Sequence, residues 1–347
     1  MSVLAAPLCD VVRSGSARQS GQVLTRRAEL IRLRHLAWAG LGRYPLAAGR
    51  LTFVAHGENT TFRHEGADGR HLVRVHRPQR HGREVDSEAA VGSELMWLQA
   101  LRRDTGLAVP RPVLARDGAL TVTVNSADVA RVCSVLRWMD GRVHENSPRP
   151  VHLHQLGGAI AQLHRHADEW TPPPDFVRIR WDHATFFGNV MVYGDTPAAR
   201  CWELLPREVR TRFRAVGGRV FDLMASAHDV GLIHADPHLG NALFHRGAVK
   251  LIDFDDCGTG PRVYDLAVAV WELRDRPDYP AFRDALLSGY HALRDLDVGH
   301  LDDYIALRQV AFGLWFTGTA QVNTAFAARL DRVHRWSLAM LDLLGIP

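Results

Sequence analysis

Three polar side chains between Gly231 and Leu266 carry the strongest chemical signal in this 347-residue chain: Asp236, Asn241 five positions later, and Asp253 twelve beyond that. One carboxylate can orient a hydroxyl and take its proton. An amide oxygen and a second carboxylate can hold magnesium against a triphosphate. The set therefore suits transfer of a phosphoryl group to an alcohol.

Local elements must bring these residues together. Residues 241–245 (NALFH) and 249–253 (VKLID) read as two strands, with Gly247 supplying the turn. A hairpin centred on Gly247 pairs Leu243 with Leu251 and Asn241 with Asp253. Paired Cα atoms lie about 4.5–5.5 Å apart, and their side chains share a face. Asp236 then arrives at the open end on the incoming loop.

The rest of the chain divides by hydrophobic period. Residues 22–43 have helical spacing, and residues 50–76 switch to strand-like segments with a turn at Gly66–Gly69. A helix is expected over 84–103, then strands over 120–125 and 132–138. Helical pattern dominates after a connector at 139–144, including a helix over about 209–230. Strands with one helix, followed by a mainly helical part, imply an α+β fold in two lobes. The expected divisions are an N-terminal helical extension (1–44), a nucleotide-binding lobe (45–138) and a catalytic, substrate-binding lobe (139–347).

His234-Ala-Asp236 with Asn241, followed by Ile252-Asp-Phe-Asp-Asp256 and Tyr264-Asp-Leu-Ala267, resembles the aminoglycoside and homoserine kinase-like phosphotransferases. That group also holds choline kinases and stress-response protein kinases. The resemblance covers roughly residues 45–320 and implies a protein-kinase-like fold using ATP and magnesium. It implies that Asp236 is the catalytic base, that Asn241 and Asp253 bind the metal, and that Asp253 thereby belongs to the catalytic set. VAHGENTTF (54–62) resembles the family's phosphate-loop turn and places Asn59 near the nucleotide. LVRVHRP (72–78) resembles the strand that usually carries an ATP-contacting lysine, and Arg74 stands there. Lys250 is the sole lysine of the chain. Glu94, rather than Glu88, is the expected helical partner of Arg74. Residues 135–140 correspond to the interlobe hinge, although Trp138 and Met139 could equally be core.

Other polar residues have ordinary readings beside the functional ones. His234 reads as structural, and His238 and His245 as surface residues. Asp265 suits the first turn of a helix for its dipole or, by resemblance, braces the catalytic loop. Asp255 and Asp256 either support the metal region or are solvated acids. The motif His234-x-Asp236-x-His238 also admits a metal-dependent hydrolase. The acceptor is open between a small-molecule hydroxyl and a protein serine or threonine. A non-catalytic or weakly catalytic nucleotide-binding regulator is the third class, motivated by Arg74. Acids outnumber arginines over residues 271–303, which would favour a cationic acceptor if that stretch lined the cleft.

Composition narrows the classes further. Hydrophobic residues make up 46% and charged residues 23% of the chain, and the formal charge is +4. Basic residues are dispersed, so nucleic-acid binding is not expected. No apolar run approaches the roughly 18 residues of a membrane span, and the N-terminus lacks the pattern of a signal peptide. Cys9, Cys133, Cys201 and Cys257 lie far apart without a CxxC pair. This fits free thiols in a reducing cytoplasm. Oligomeric state is not legible in the sequence.

Overall fold

The computed structural model describes residues 18–19, 22–23, 26–57, 59–78, 86–126 and 129–347. Cys9, Glu58, Glu84 and, within the expected N-terminal helix, Leu24 and Thr25 lie outside these. Gln22 and Val23, the expected start of that helix, instead form a short strand paired with Arg18–Gln19, and the helix begins at Arg26. The N-terminal lobe contains helix α1 (Arg26–Leu41), strands β1 (Gly49–His56), β2 (Thr60–Gly66) and β3 (Gly69–Val75), helix α2 (Ser87–Asp104), and strands β4 (Thr121–Ser126) and β5 (Val129–Arg137). The five strands form one antiparallel sheet in the order β1-β2-β3-β5-β4. The α+β, two-lobed expectation holds, with element ends displaced by a few residues. The start of α2 has a local cause: the Asp86 side chain accepts from Glu88 N at 2.8 Å and Ala89 N at 3.4 Å, an N-cap that leaves helical geometry to begin at Ser87.

Two cores underlie the lobes. Leu33, Leu36, Ala37 and Tyr44 pack with Leu51, Phe62, Val73 and Val135 in the smaller one. Thus α1 shares its core with the sheet. Helix α2 faces the other way: Val91, Leu95, Trp97 and Leu98 belong to the large core with Leu153, Leu156 and Phe254. Each fully buried large side chain there contributes about 1.5–3 kcal/mol. Strand β3 and helix α2 are therefore rooted in different cores, so a side-chain pair between them ties the two cores together.

The C-terminal lobe contains α3 (Pro150–Glu169), α4 (Arg207–Ala225), β6 (Val230–Ile233), β7 (Ala242–His245), β8 (Ala248–Leu251), β9 (Gly258–Pro261), α5 (Val263–Trp271), α6 (Tyr279–His291), α7 (Leu301–Ala320) and α8 (Leu330–Leu343). The expected helix to Val230 stops at Ala225, and Val230 instead opens β6, which pairs with β9. Among the described residues, no helix is long and apolar enough to cross a membrane. Cys133, Cys201 and Cys257 are buried, and Cys133 and Cys201 are free thiols.

The β7–β8 hairpin corrects the expected register. Ala242 pairs with Leu251 and His245 with Ala248, so Asn241 lies opposite Ile252, whose N–H donates to Asn241 O at 3.0 Å. The reason is a two-residue turn: Arg246 and Gly247 both have positive φ, 50° and 80°, as a turn matched to strand twist requires. A one-residue slip moves side chains to the opposite face. Asp253 does not continue the strand, however; its backbone is left-handed at φ 61°. Asn241 and Asp253 still line the same cleft.

Candidate active site

A cleft of about 1020 Å³ runs between the lobes, and Arg74, Glu94, Asp236, Asn241, Asp253 and Asn59 all line it. The structure therefore brings these six expected site residues into one space.

Asp236 sits on the loop between β6 and β7. The preceding Ala235 has φ 67°, a strained conformation for a residue with a side chain. Fully buried Asp265 holds it there, accepting from His234 N at 2.9 Å and Ala235 N at 2.7 Å. His164 Nε2 donates to Asp265 at 3.0 Å, and the Tyr290 hydroxyl donates to His164 Nδ1 at 2.9 Å. Asp265 is thus a brace for the loop as well as an acid in the first turn of α5.

The Asp236 carboxylate is held from several sides. Arg308 Nη2 donates to Oδ1 at 2.5 Å, and Asn241 Nδ2 donates to Oδ2 at 2.9 Å. His238 Nε2 lies 3.5 Å from Oδ2. Burial alone would raise the pKa of this group, but the Arg308 guanidinium and His238 hold it well below the usual carboxylate range. Asn241 also donates from Nδ2 to the Asp236 carbonyl at 2.9 Å, which leaves its Oδ1 as the atom with ligand chemistry.

His238 is a correction to the surface reading. Its side chain is 17% exposed and faces the cleft beside Asp236. Burial lowers its pKa, yet Asp236 raises it more, to about 9. In opposition, Gly240 N donates to His238 Nδ1 at 3.1 Å, a contact that needs this nitrogen unprotonated. That hydrogen bond fits the neutral ring with its proton on Nε2, facing the carboxylate. Gly240 has no room for a side chain: a Cβ there would lie 2.6 Å from the His238 ring. His245 is exposed.

His234 is structural in its contacts. Its Nε2 donates to Ile252 O at 3.0 Å, and its Nδ1 accepts from Asp236 N at 3.3 Å. With both ring nitrogens engaged, His234 cannot join a histidine-rich metal centre. Among the described residues, no group of three or more His, Cys, Asp or Glu side chains has metal-centre geometry.

Opposite Asp236, the side of the cleft around Arg74 is dominated by acids. Arg74, 3% exposed, donates from Nη1 and Nη2 to Glu94 Oε1 at 2.5 and 2.9 Å and from Nη2 to Asp255 Oδ1 at 2.6 Å. Glu88 instead lies exposed and accepts from the Thr123 hydroxyl at 2.9 Å. Asn59 reaches across from the sheet and donates to Asp255 Oδ2. Asp255 is thus buried and central rather than solvated. Asp253 lies 3.9 Å from Arg74 with its side chain 55% exposed to the cleft. The enclosing walls and the Asp255 charge raise its pKa, and Arg74 only partly offsets them. A crowded carboxylate with an amide oxygen nearby is a donor set that fits magnesium, which uses few protein oxygens and completes its shell with phosphates and water.

At the hinge, Trp138 and Met139 line the cleft, with the Arg63 guanidinium 5.5 Å from the Trp138 ring centre. Of the acids between residues 271 and 303, Glu272 lines the cleft; Asp278, Asp284, Asp302 and Asp303 pair with arginines away from it. The expected cationic bias of that stretch thus comes down to Glu272. Motif reading missed Arg308, which lies 72 residues beyond Asp236. Its only sequence signal is an arginine within the apolar pattern of α7.

Residues 50–301 match the phosphotransferase enzyme family APH. An uncharacterized protein of Deinococcus radiodurans is 30% identical over 79% of this chain and 78% of its own length. The solved microcompartment-associated aminopropanol kinase is similar over 91% of this chain and 99% of its own, with TM-score 0.73 and 26% identity. An amicoumacin kinase solved in complex with AMP-PNP, Ca2+ and Ami shares the fold over 89% of this chain and 92% of its own, with TM-score 0.67 and 18% identity. The match over most of the sequence places this chain in the APH phosphotransferase enzyme family.

Proposed function

We propose that this protein transfers the γ-phosphoryl group of ATP to a hydroxyl of a small molecule. One observation carries the reading: Asp236, with both oxygens held by donors, lines the same cleft as the Asn241 and Asp253 oxygens. Asp236 would orient the acceptor hydroxyl and take its proton. Asn241 and Asp253 would hold magnesium, whose charge offsets that of the phosphates. Arg74 and Asn59 would face the phosphates, with Glu94 fixing Arg74. Most of the rate would come from positioning and charge complementarity.

Glu272, Trp271 and Phe312 line the acceptor side. The Glu272 carboxylate would favour an acceptor bearing an amine, in keeping with the aminopropanol kinase similarity.

A thermal-shift screen of amino alcohols, polyols and peptides with magnesium and ATP, followed by measurement of ADP formation, tests the proposal. The expected result is magnesium-dependent ADP formation with an amino alcohol and a phosphorylated product of matching mass. Phosphoserine or phosphothreonine in a protein acceptor would favour the stress-response type of kinase. ATP binding without turnover on any acceptor would favour a regulator.

A further inference from the structure

The acceptor side of Asp236 holds a cation that the motif does not encode. Arg308 comes from α7 and donates to Asp236 Oδ1 at 2.5 Å. Its guanidinium lies over the Trp271 ring, 5.1 Å from the centre. Trp271 is buried, and its Nε1 donates to Gln309 Oε1 at 2.8 Å. Gln309 in turn donates from Nε2 to the Ser337 hydroxyl at 2.8 Å. Adjacent residues of one helix therefore fix both the guanidinium and the ring beneath it. Preorganisation of this kind is what a reacting group needs from its support.

The grip on Asp236 is two-sided. Asn241 takes Oδ2 from the metal side, and Arg308 takes Oδ1 from the other. A planar carboxylate held at both oxygens cannot turn; Oδ2 also faces His238 Nε2 at 3.5 Å, and Oδ1 keeps a second lone pair. Arg308 is 17% exposed and lines the cleft. An ion pair in such a place adds little net stability, so stability alone is a poor account of it.

We propose that Arg308 is a positioning residue for phosphoryl transfer, acting through Asp236 by holding its carboxylate in the orientation that meets the acceptor hydroxyl. The inference rests on the function proposed above. In that step the acceptor oxygen bonds to the γ-phosphorus as the bond to the β–γ bridging oxygen breaks. ADP leaves with that oxygen and its electron pair, and the acceptor's proton passes to Asp236.

The test compares wild type, Arg308→Met, Arg308→Lys, Asp236→Asn and the double variant Asp236→Asn/Arg308→Met in ATP consumption with aminopropanol and magnesium. Arg308→Met is expected to lower kcat about 100-fold, while KM for ATP stays within about threefold. Arg308→Lys should recover about a tenth of wild-type kcat or more, since a point charge keeps one contact. The double variant should be no slower than Asp236→Asn, because both changes remove one function. An equal fold-loss from Arg308→Met in the Asp236→Asn background, or a change confined to KM for ATP, overturns the proposal. Melting curves identify a misfolded Arg308→Met; Arg308→Lys and its double with Asp236→Asn then carry the same test.

A readout independent of turnover is rotation of the Arg308 guanidinium by nitrogen NMR. It should be slow in wild type and released in Asp236→Asn; equal rotation in both would show that Arg308 does not grip Asp236. A wild type that phosphorylates nothing would count against the proposed function, whereas this spectrum judges the Arg308 contact by itself.

Discussion

Asp236 and Asp253 lie across one cleft in opposite electrical surroundings. Asp236 is ringed by donors: Arg308, Asn241 and His238. Asp253 is crowded by Asp255 and Glu94, and Arg74, its nearest cation, is already engaged by both of those acids. Desolvation by the cleft walls acts on both, yet one pKa is driven down and the other up. Two carboxylates pushed apart in this way divide the labour of a site. The first remains an anion able to orient a hydroxyl. The second gains most from an added cation. The motif supplies two aspartates, and the neighbours distinguish them.

The largest expected effect breaks the Asp236 half. Asp236→Asn keeps the shape but removes the charge and the proton acceptor, and turnover should fall about 10²–10⁴-fold. Steady-state ADP formation with the acceptor found by screening reads this; retained turnover would remove Asp236 from the chemistry. An intermediate effect comes from Arg74→Lys. The guanidinium fork reaches Glu94 and Asp255 together, and an ammonium cannot match that geometry. Loss of one charged hydrogen bond, about 1.5 kcal/mol, predicts about a tenfold lower kcat/KM for ATP. Unchanged kinetics would show that Arg74 serves as a plain positive charge.

The smallest effect sharpens the Asp253 half. Its folded pKa is raised, so the ionised form needed by a metal is lost as pH falls through that raised value. Asp255→Asn removes a neighbouring negative charge. The acid limb of magnesium–ATP binding should therefore move to lower pH, by about one unit. A limb that stays in place, or moves to higher pH, would contradict the crowding account.

Much of this site was legible in the sequence, for identifiable reasons. The fold class followed from the change of hydrophobic period, and the Arg74–Glu94 contact was implied by the resemblance, which expects the cation of that strand to pair with a glutamate of the following helix. The hairpin was legible as an element but not in register, because whether a glycine turn has one or two left-handed residues is settled by backbone twist at Arg246 and Gly247. His238 read as a surface residue because its two-residue spacing from Asp236 does not say which way the loop turns its ring, and the folded loop turns it onto the carboxylate. Arg308 and Asp255 were hidden for a related reason: their partners, Asp236 and Arg74, lie 72 and 181 residues away, and only tertiary packing brings them together. Asp265 was legible in both its roles, as an acid at a helix start and, by resemblance, as a brace of the loop; the two amides it holds and the positive φ at Ala235 were not.

Calorimetric titration of magnesium and ATP into Asp236→Asn and Asp253→Asn tests the division of roles without any acceptor. Asp236→Asn should bind with an affinity close to wild type, and Asp253→Asn should lose the magnesium-dependent part of binding. Equal weakening in both, or unaltered binding in Asp253→Asn, would contradict the assignment of the two aspartates to separate tasks.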